Sequence, residues 1–224
     1  MGGAPDARWA ALTAAGASED AVEWALDHDV DVYVMSFSVP ELGAFRAHWR
    51  MLAEHAALAG LFVVSGAGNF GRPGSDGYAP VPKQLRSPED IPLAVFGVSG
   101  IGATGRRPAF SSRGPVLWDV VHYDEGLVDK PDLATINDDV PVLGTDGRVL
   151  PRRGGGNSYA GPHLAAVLAL MLEADPDLTP WAARALLSET AIDRGPMGFD
   201  PLFGAGLVDA FAAVRAVERR RLGR

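Results

Sequence analysis

An α/β fold with a parallel sheet is predicted by three features of the sequence. Short β-branched apolar runs, "VDVYVMSFS" (30–38), "LFVVSGAGN" (61–69) and "LAVFGVSG" (93–100), recur along the chain. They are apolar on both faces, as strands covered on two sides must be. Amphipathic, capped helical segments lie between and after them, and strand–helix–strand alternation implies parallel neighbours joined by right-handed crossovers.

In chain order, "ARWAALTA" (7–14) reads as a short strand, and Ser18 with Glu19 and Asp20 opens a helix over 19–28. The strand 30–38 is followed by a helix over 44–59 that stops at Gly60, a C′ glycine. The strand 61–69 runs into a glycine-rich turn, and a Pro/Gly-rich loop (71–92) leads to the strand 93–100. Residues 103–155 read as irregular or hairpin-like. A helix over 158–174, a helix with Thr179 as cap and Pro180 at N1, and a last helix from about Asp209 complete the chain. No internal repeat or low-complexity segment marks a boundary within the 224 residues.

Composition excludes several functions. The chain is 47% hydrophobic and 21% charged, an ordinary globular balance with enough apolar residues for a core. Twenty Lys and Arg stand against 28 Asp and Glu, a net charge of -8, which argues against a nucleic-acid partner. The basic tail "ERRRLGR" suits a helix C-terminus, where cations meet the negative pole of the macrodipole. The absence of cysteine excludes disulfide and thiol chemistry. Charges at Asp6, Arg8, Glu19 and Asp20 exclude a signal-peptide core from the first thirty residues. No apolar run approaches the ~20 residues of a membrane span, so a soluble chain without a membrane partner is expected, its compartment unknown.

The stretch "GGGNSYAGPH" (154–163) concentrates the chemistry. A glycine run entering a helix presents backbone N–H groups to an anion or oxyanion, with Ser158 at that end. Phosphate binding beside Arg152 and Arg153 is one reading, but a P-loop needs a Lys-Ser/Thr pair where Asn157 and Ser158 stand. Gly156-x-Ser158-x-Ala160 is close to a nucleophile elbow, but that site needs an acid and a histidine after the serine. Only His163 follows, and five residues along a helix is a rotation of about 500°, which turns it away from Ser158. An N-cap serine behind a flexible loop is the plainest alternative.

Six collinear segments resemble the subtilisin-like serine proteases. "GNSYAGPHLAAVLALML" matches the family's G-T-S-M-A-S-P-H serine motif at Gly156, Ser158, Ala160, Pro162 and His163. "DVDVYVMSFSVP" and "GLFVVSGAGN" resemble its strands ending in M-S-L-G-G-P and A-G-N. "PAFSSRGP", "KPDLAT" and "FGAGLVDAFAAV" resemble its F-S-S-R-G-P, K-P-D-I and closing helix motifs. The resemblance implies a three-layer αβα fold and a serine endopeptidase forming an acyl-enzyme on Ser158, with a peptide or protein as substrate. It implies Asn69 as the side-chain donor of the oxyanion hole. "SGAG", Ser65, Gly66, Ala67 and Gly68, would line the substrate pocket. Ser36, Phe37 and Ser38 would offer a strand edge to the substrate backbone.

The resemblance also has gaps. The family's triad runs Asp, His, Ser, and its histidine lies in H-G-T-H before the segment that "MGGAPDARWAAL" resembles. None of His28, His48, His55, His122 or His163 has that context: His48 and His55 share a helix face, and His163 matches a structural histidine. The whole chain, residues 1–224, is therefore expected to be the C-terminal two-thirds of the catalytic domain, without the strand and helix carrying Asp and His. Alone it is expected to be inactive, with an exposed sheet edge. A segment in the same protease or a partner chain would complete it. The alternative is a catalytically dead peptide-binding module. Ser38 and Val39 replace the usual Gly-Gly, and Asn157, Tyr159 and Gly161 replace Thr, Met and Ser. Calcium is common in the family, but no carboxylate cluster identifies a site, so no metal or cofactor is assigned.

Overall fold

The computed structural model describes residues 4–8, 10–12, 19–73, 77–151 and 155–223. Its elements, in chain order, are α1 (Glu19–Asp27), β1 (Val32–Met35), α2 (Phe45–Leu58), β2 (Phe62–Gly66), β3 (Val95–Ile101), β4 (Val116–Val120), β5 (Tyr123–Val128), β6 (Leu133–Ile136), β7 (Val142–Leu143), β8 (Val149–Leu150), α3 (Asn157–Ala174), α4 (Pro180–Thr190) and α5 (Ala210–Leu222). The central sheet has the order β1-β2-β3-β6, all parallel. The register pairs Val32 with Phe62, Val63 with Val95 and Val98 with Leu133.

The two-sided apolar strands produce three layers. Phe62, Val64, Phe96, Val98 and Leu133 face Leu164, Leu168 and Met171 of α3, with Ala183 and Leu187 of α4 and Val217 of α5 behind. The alternate residues Tyr33, Met35, Val63 and Val95 face the other way, onto Ala53, Ala56 and Ala57 of α2 and onto α1. Period-2 alternation in the strands thus divides the core between two helical layers. α3 runs across all four strands, so it is apolar around much of its circumference.

The helix ends follow their local chemistry. Gly60 takes φ +99 just after α2, which only a residue without Cβ adopts cheaply. Thr179 caps α4 through Ala182 N–H, with Pro180 in its first turn, and Asp209 caps α5 through Ala212 N–H.

Two expectations are corrected. Residues 7, 8 and 10–12 form no strand; the rest of the strand expected over 7–14, and the Ser18 cap, lie outside the described residues. The stretch 103–155, expected to be irregular or hairpin-like, does contain the hairpins β4–β5 and β7–β8, but it also contains the fourth parallel strand, β6. β6 is disguised by the charges before it, which the fold buries and pairs. Lys130 Nζ donates to Asp132 Oδ2 at 2.7 Å and to Val95 O at 2.8 Å. Asp132 also accepts from Gly97 N–H at 2.6 Å and pairs with Arg184 of α4. This cluster bolts the start of β6 to β3 and α4.

Candidate active site

The C-terminal ends of β1 and β2 meet the N-terminus of α3, the edge of a parallel sheet where binding sites form. Contact there is close: a Cβ on Gly66 would lie 2.0 Å from Asn157 O, and one on Gly161 would lie 3.3 Å from Gly66 N. Glycine at these positions lets the helix mouth sit directly on the end of β2.

Ser158, in the first turn of α3, is tied twice to the chain leaving β1. Its Oγ donates to Ser36 O at 3.3 Å, and Ser36 Oγ donates to Ser158 O at 3.0 Å. The second bond is explained by Pro162. Proline has no N–H, so the carbonyl four residues earlier, that of Ser158, is left without its helical donor, and Ser36 supplies one.

Asn69 follows β2 and faces the same helix mouth. Its Oδ1 accepts from Asn157 N–H at 2.8 Å, which leaves the NH₂ end of the amide without a hydrogen bond among the described residues. The Ser158 N–H belongs to the first turn, whose donors have no intrahelical acceptor. Asn69 and Ser158 both line the pocket at this helix mouth.

Asn157 is not merely a variant of the usual residue but the centre of a buried polar cluster. Its Nδ2 donates to Gly68 O at 2.6 Å and Ser111 Oγ at 3.0 Å, and its Oδ1 accepts from Asn137 Nδ2 at 2.6 Å. Ser111, Asn137 and Asn157 have no exposed surface. Ser112 completes the frame: its N–H donates to Gly68 O at 3.0 Å and its Oγ accepts from Phe70 N–H at 3.0 Å. The "FSSRGP" segment thus carries two serines that hold the loop bearing Asn69. The motif signalled their presence; sequence reasoning assigned them no role.

Ser36, Phe37, Ser38, Gly66, Gly68, Asn69, Phe70 and Ser158 line one pocket of about 120 Å³. Ser65 and Ala67, expected in its wall, are turned into the protein. Ser65 Oγ donates to Met35 O at 2.8 Å, and Ala67 packs in the α2-side core. Along 65–68 it is the alternate residues Gly66 and Gly68 that line the pocket. Phe70, not foreseen, forms part of the wall, with the Arg86 guanidinium 3.7 Å over its ring.

Behind this wall lies Glu89, fully buried. Its Oε1 accepts from Ser38 Oγ at 2.6 Å and from Arg86 N–H at 3.1 Å, and Oε2 has no partner among the described residues. Burial pushes the Glu89 carboxyl up to about 8, with the charge of Asp90 adding to the rise and the Ser38 bond opposing it.

No histidine serves Ser158. His163 Nδ1 bonds to Ile136 O at 2.7 Å, fastening α3 to β6. His28 is stacked on Trp24, and His48 pairs with Glu19. His55 is exposed near the end of α2, and His122 occupies the β4–β5 turn. The only hydrogen-bond acceptor of Ser158 Oγ among the described residues is Ser36 O. Arg152 and Arg153, which entered the phosphate alternative, lie outside the described residues. Among the described residues, no group of three or more His, Cys, Asp or Glu side chains is placed to hold a metal ion, and no helix is long and apolar enough to cross a membrane.

A serine at a helix mouth, an asparagine beside it and a groove along the strand ends are the furniture of an α/β serine hydrolase. The subtilase family model matches residues 1–206, and the chain belongs to this family of serine peptidases. Mycosin-1 of Mycobacterium tuberculosis is 35% identical over 69% of this chain and 36% of its own length. Subtilisin DY of Bacillus licheniformis is 27% identical over 87% of this chain and 60% of its own. The chain thus spans less than two thirds of the length of these relatives. The crystal structure of MycP1 with its N-terminal propeptide removed superposes with a TM-score of 0.68 at 24% identity, covering 88% of this chain and 65% of that one. The prenylagaramide maturation protease PagA superposes at 0.67 and 18% identity, covering 89% and 66%. Both share the three-layer fold.

Proposed function

We propose that the chain contributes the nucleophile, oxyanion hole and substrate groove of a subtilase that hydrolyses peptide bonds through an acyl-enzyme on Ser158. The observation that supports this is that Ser158 and Asn69 line one pocket, with the Asn69 amide NH₂ without a hydrogen bond among the described residues. Attack of Oγ on a peptide carbonyl places negative charge on the carbonyl oxygen, and two pre-set donors stabilise it without reorganisation. A peptide would lie along Ser36, Phe37 and Ser38, with one side chain in the pocket between Gly66, Gly68 and Phe70.

Ser158 needs a proton acceptor that none of the five histidines supplies. A histidine and its carboxylate would come from a separate segment or a partner chain. Among the described residues β1 pairs only with β2, so its other side could take a further strand. A general base is worth ~10² to 10⁴ in rate, so these residues alone would be close to inert. A second reading, a peptide-binding module without catalysis, is favoured by the Ser158 hydroxyl facing a backbone carbonyl rather than a base.

A peptidyl phosphonate separates the readings. The chain alone is expected to resist labelling, and the chain mixed with a polypeptide supplying the Asp strand and His helix is expected to be labelled at Ser158, with S158A inert. Absence of labelling in the mixture would establish the non-catalytic module. Rapid labelling of the chain alone would refute the two-part mechanism.

A further inference from the structure

The mechanism leaves one buried ionisable group beside the site unused. Glu89 sits on the turn 86–90, outside the segments that resemble the family motifs. Its carboxyl is bonded to the arm and to its own turn and lies behind the wall. It accepts the Ser38 hydroxyl of the arm leaving β1, and it accepts the N–H of Arg86, whose guanidinium covers Phe70 and donates to Gly77 O at 2.8 Å. It also lies directly behind Gly68, where an added Cβ would come within 2.9 Å of Oε1. Ser38 stands where a glycine would leave the arm untethered; its hydroxyl gives the arm a fixed point.

We propose that Glu89 is a positioning residue of the substrate pocket, its buried carboxyl fastening the Ser36–Ser38 arm to the wall formed by Gly68, Asn69 and Phe70. The inference rests on reading that pocket as the peptide site. The Ser38 hydroxyl and the Arg86 N–H of Glu89's own turn meet at one oxygen directly behind Gly68. Beside it Val39 N–H donates to Ser87 O at 2.8 Å, so the side chain adds a second tie between the arm and this turn.

The charges around it make the fastening depend on pH. No cation is hydrogen-bonded to the Glu89 carboxyl among the described residues. Asp90 next door is paired with Arg46 at 2.8 Å and accepts from Ser87 Oγ at 2.9 Å, so Arg46 is already engaged. Arg86 directs its guanidinium to Phe70 and Gly77. Lys130, Asp132 and Arg184 form their own closed cluster, with Asp132 on the Gly97 N–H. At neutral pH the carboxyl is protonated and sits without charge. Ionisation leaves a buried negative charge with one oxygen lacking a donor, a state relieved by opening the turn to water and releasing Ser38.

The test is an NMR titration of the isotopically labelled full chain from pH 5 to 9.5, following the Glu89 side-chain carboxyl carbon and the amides of Phe37, Ser38, Gly68 and Asn69. The carboxyl and the four amides are expected to share one midpoint near 8. In E89Q, a neutral shape-mimic, the amides should not move through that range. In S38A, which removes a donor to the carboxylate, the midpoint should rise. A Glu89 midpoint near 4.5, pocket amides that ignore it, or amides that titrate unchanged in E89Q would each overturn the proposal; the wild-type and S38A curves decide it even if E89Q does not fold. Failure of the peptidase reading would appear separately, as absent phosphonate labelling with this titration intact.

Discussion

The backbone N–H of Asn157 holds the side-chain oxygen of Asn69 at 2.8 Å, so the residue that opens α3 also decides which end of the Asn69 amide is free. An amide has one acceptor and one donor end. Consuming the acceptor leaves the donor end available, and the same bond fixes the amide relative to Ser158, the next residue along.

Asn69→Ala removes both functions, whereas Asn69→Asp keeps the acceptor and removes the donor. Both are expected to lower kcat of the completed enzyme ~10²–10³-fold with KM nearly unchanged, a magnitude carried over from the subtilisins. Only the alanine variant should also lose about 1 kcal/mol of stability, read from urea unfolding. A change confined to KM would remove Asn69 from the oxyanion hole.

Gly66→Ala places a methyl where Asn157 O already stands, 2.0 Å away. The obstacle is backbone, which cannot turn aside, so β2 and α3 must separate. A loss of about 3 kcal/mol is expected in denaturant melts. A variant as stable as the parent would show that the helix mouth is not seated on β2 as described.

Glu89 gives stability a distinct pH dependence. Its native carboxyl keeps the proton to about 8, against an ordinary value of 4.5, so the native state binds the extra proton between these limits. Its contribution is full below about 4.5, falls as pH rises, and is gone above about 8. Glu89→Gln cannot titrate, so the stability difference between variant and parent should shift in favour of the variant across this window. Parallel urea midpoints from pH 5 to 8 would contradict the assignment.

Asp132→Asn strands two cations. Burial by itself pushes the Asp132 carboxyl up, but Arg184 and Lys130 outweigh it and hold it below the ordinary value. Without that charge, the Lys130 ammonium, 1% exposed, faces Arg184 uncompensated. A cost of about 3–5 kcal/mol is expected. Adding Lys130→Met to Asp132→Asn should recover part of it, which a merely steric defect would not allow.

The sequence revealed most clearly what depends on local pattern. Strands β1, β2 and β3 are β-branched runs, and Gly60, Thr179, Pro180 and Asp209 mark helix ends by their own chemistry. That Ser158 and Asn69 share one pocket was legible because the motifs fix their neighbours. What remained hidden depends on distant partners. β6 follows Lys130 and Asp132, charges that suggest a loop until Arg184, more than fifty residues later, joins them. "SPED" reads as a solvated turn, yet Glu89 and Asp90 are buried because Ser38 and Arg46 reach them from across the fold. Asn157 looked like a substitution until Ser111 and Asn137 supplied its bonds.

The all-parallel register also sets a timescale. Val32 meets Phe62, Val63 meets Val95 and Val98 meets Leu133, each pair about thirty residues apart in the chain. None of these ladders can start as a hairpin, so each long loop must close before the contacts that stabilise it exist. Refolding is accordingly expected to be slow, with unpaired strands exposed on the way, and dilution or a partner that covers the β1 edge should raise the yield of native chain.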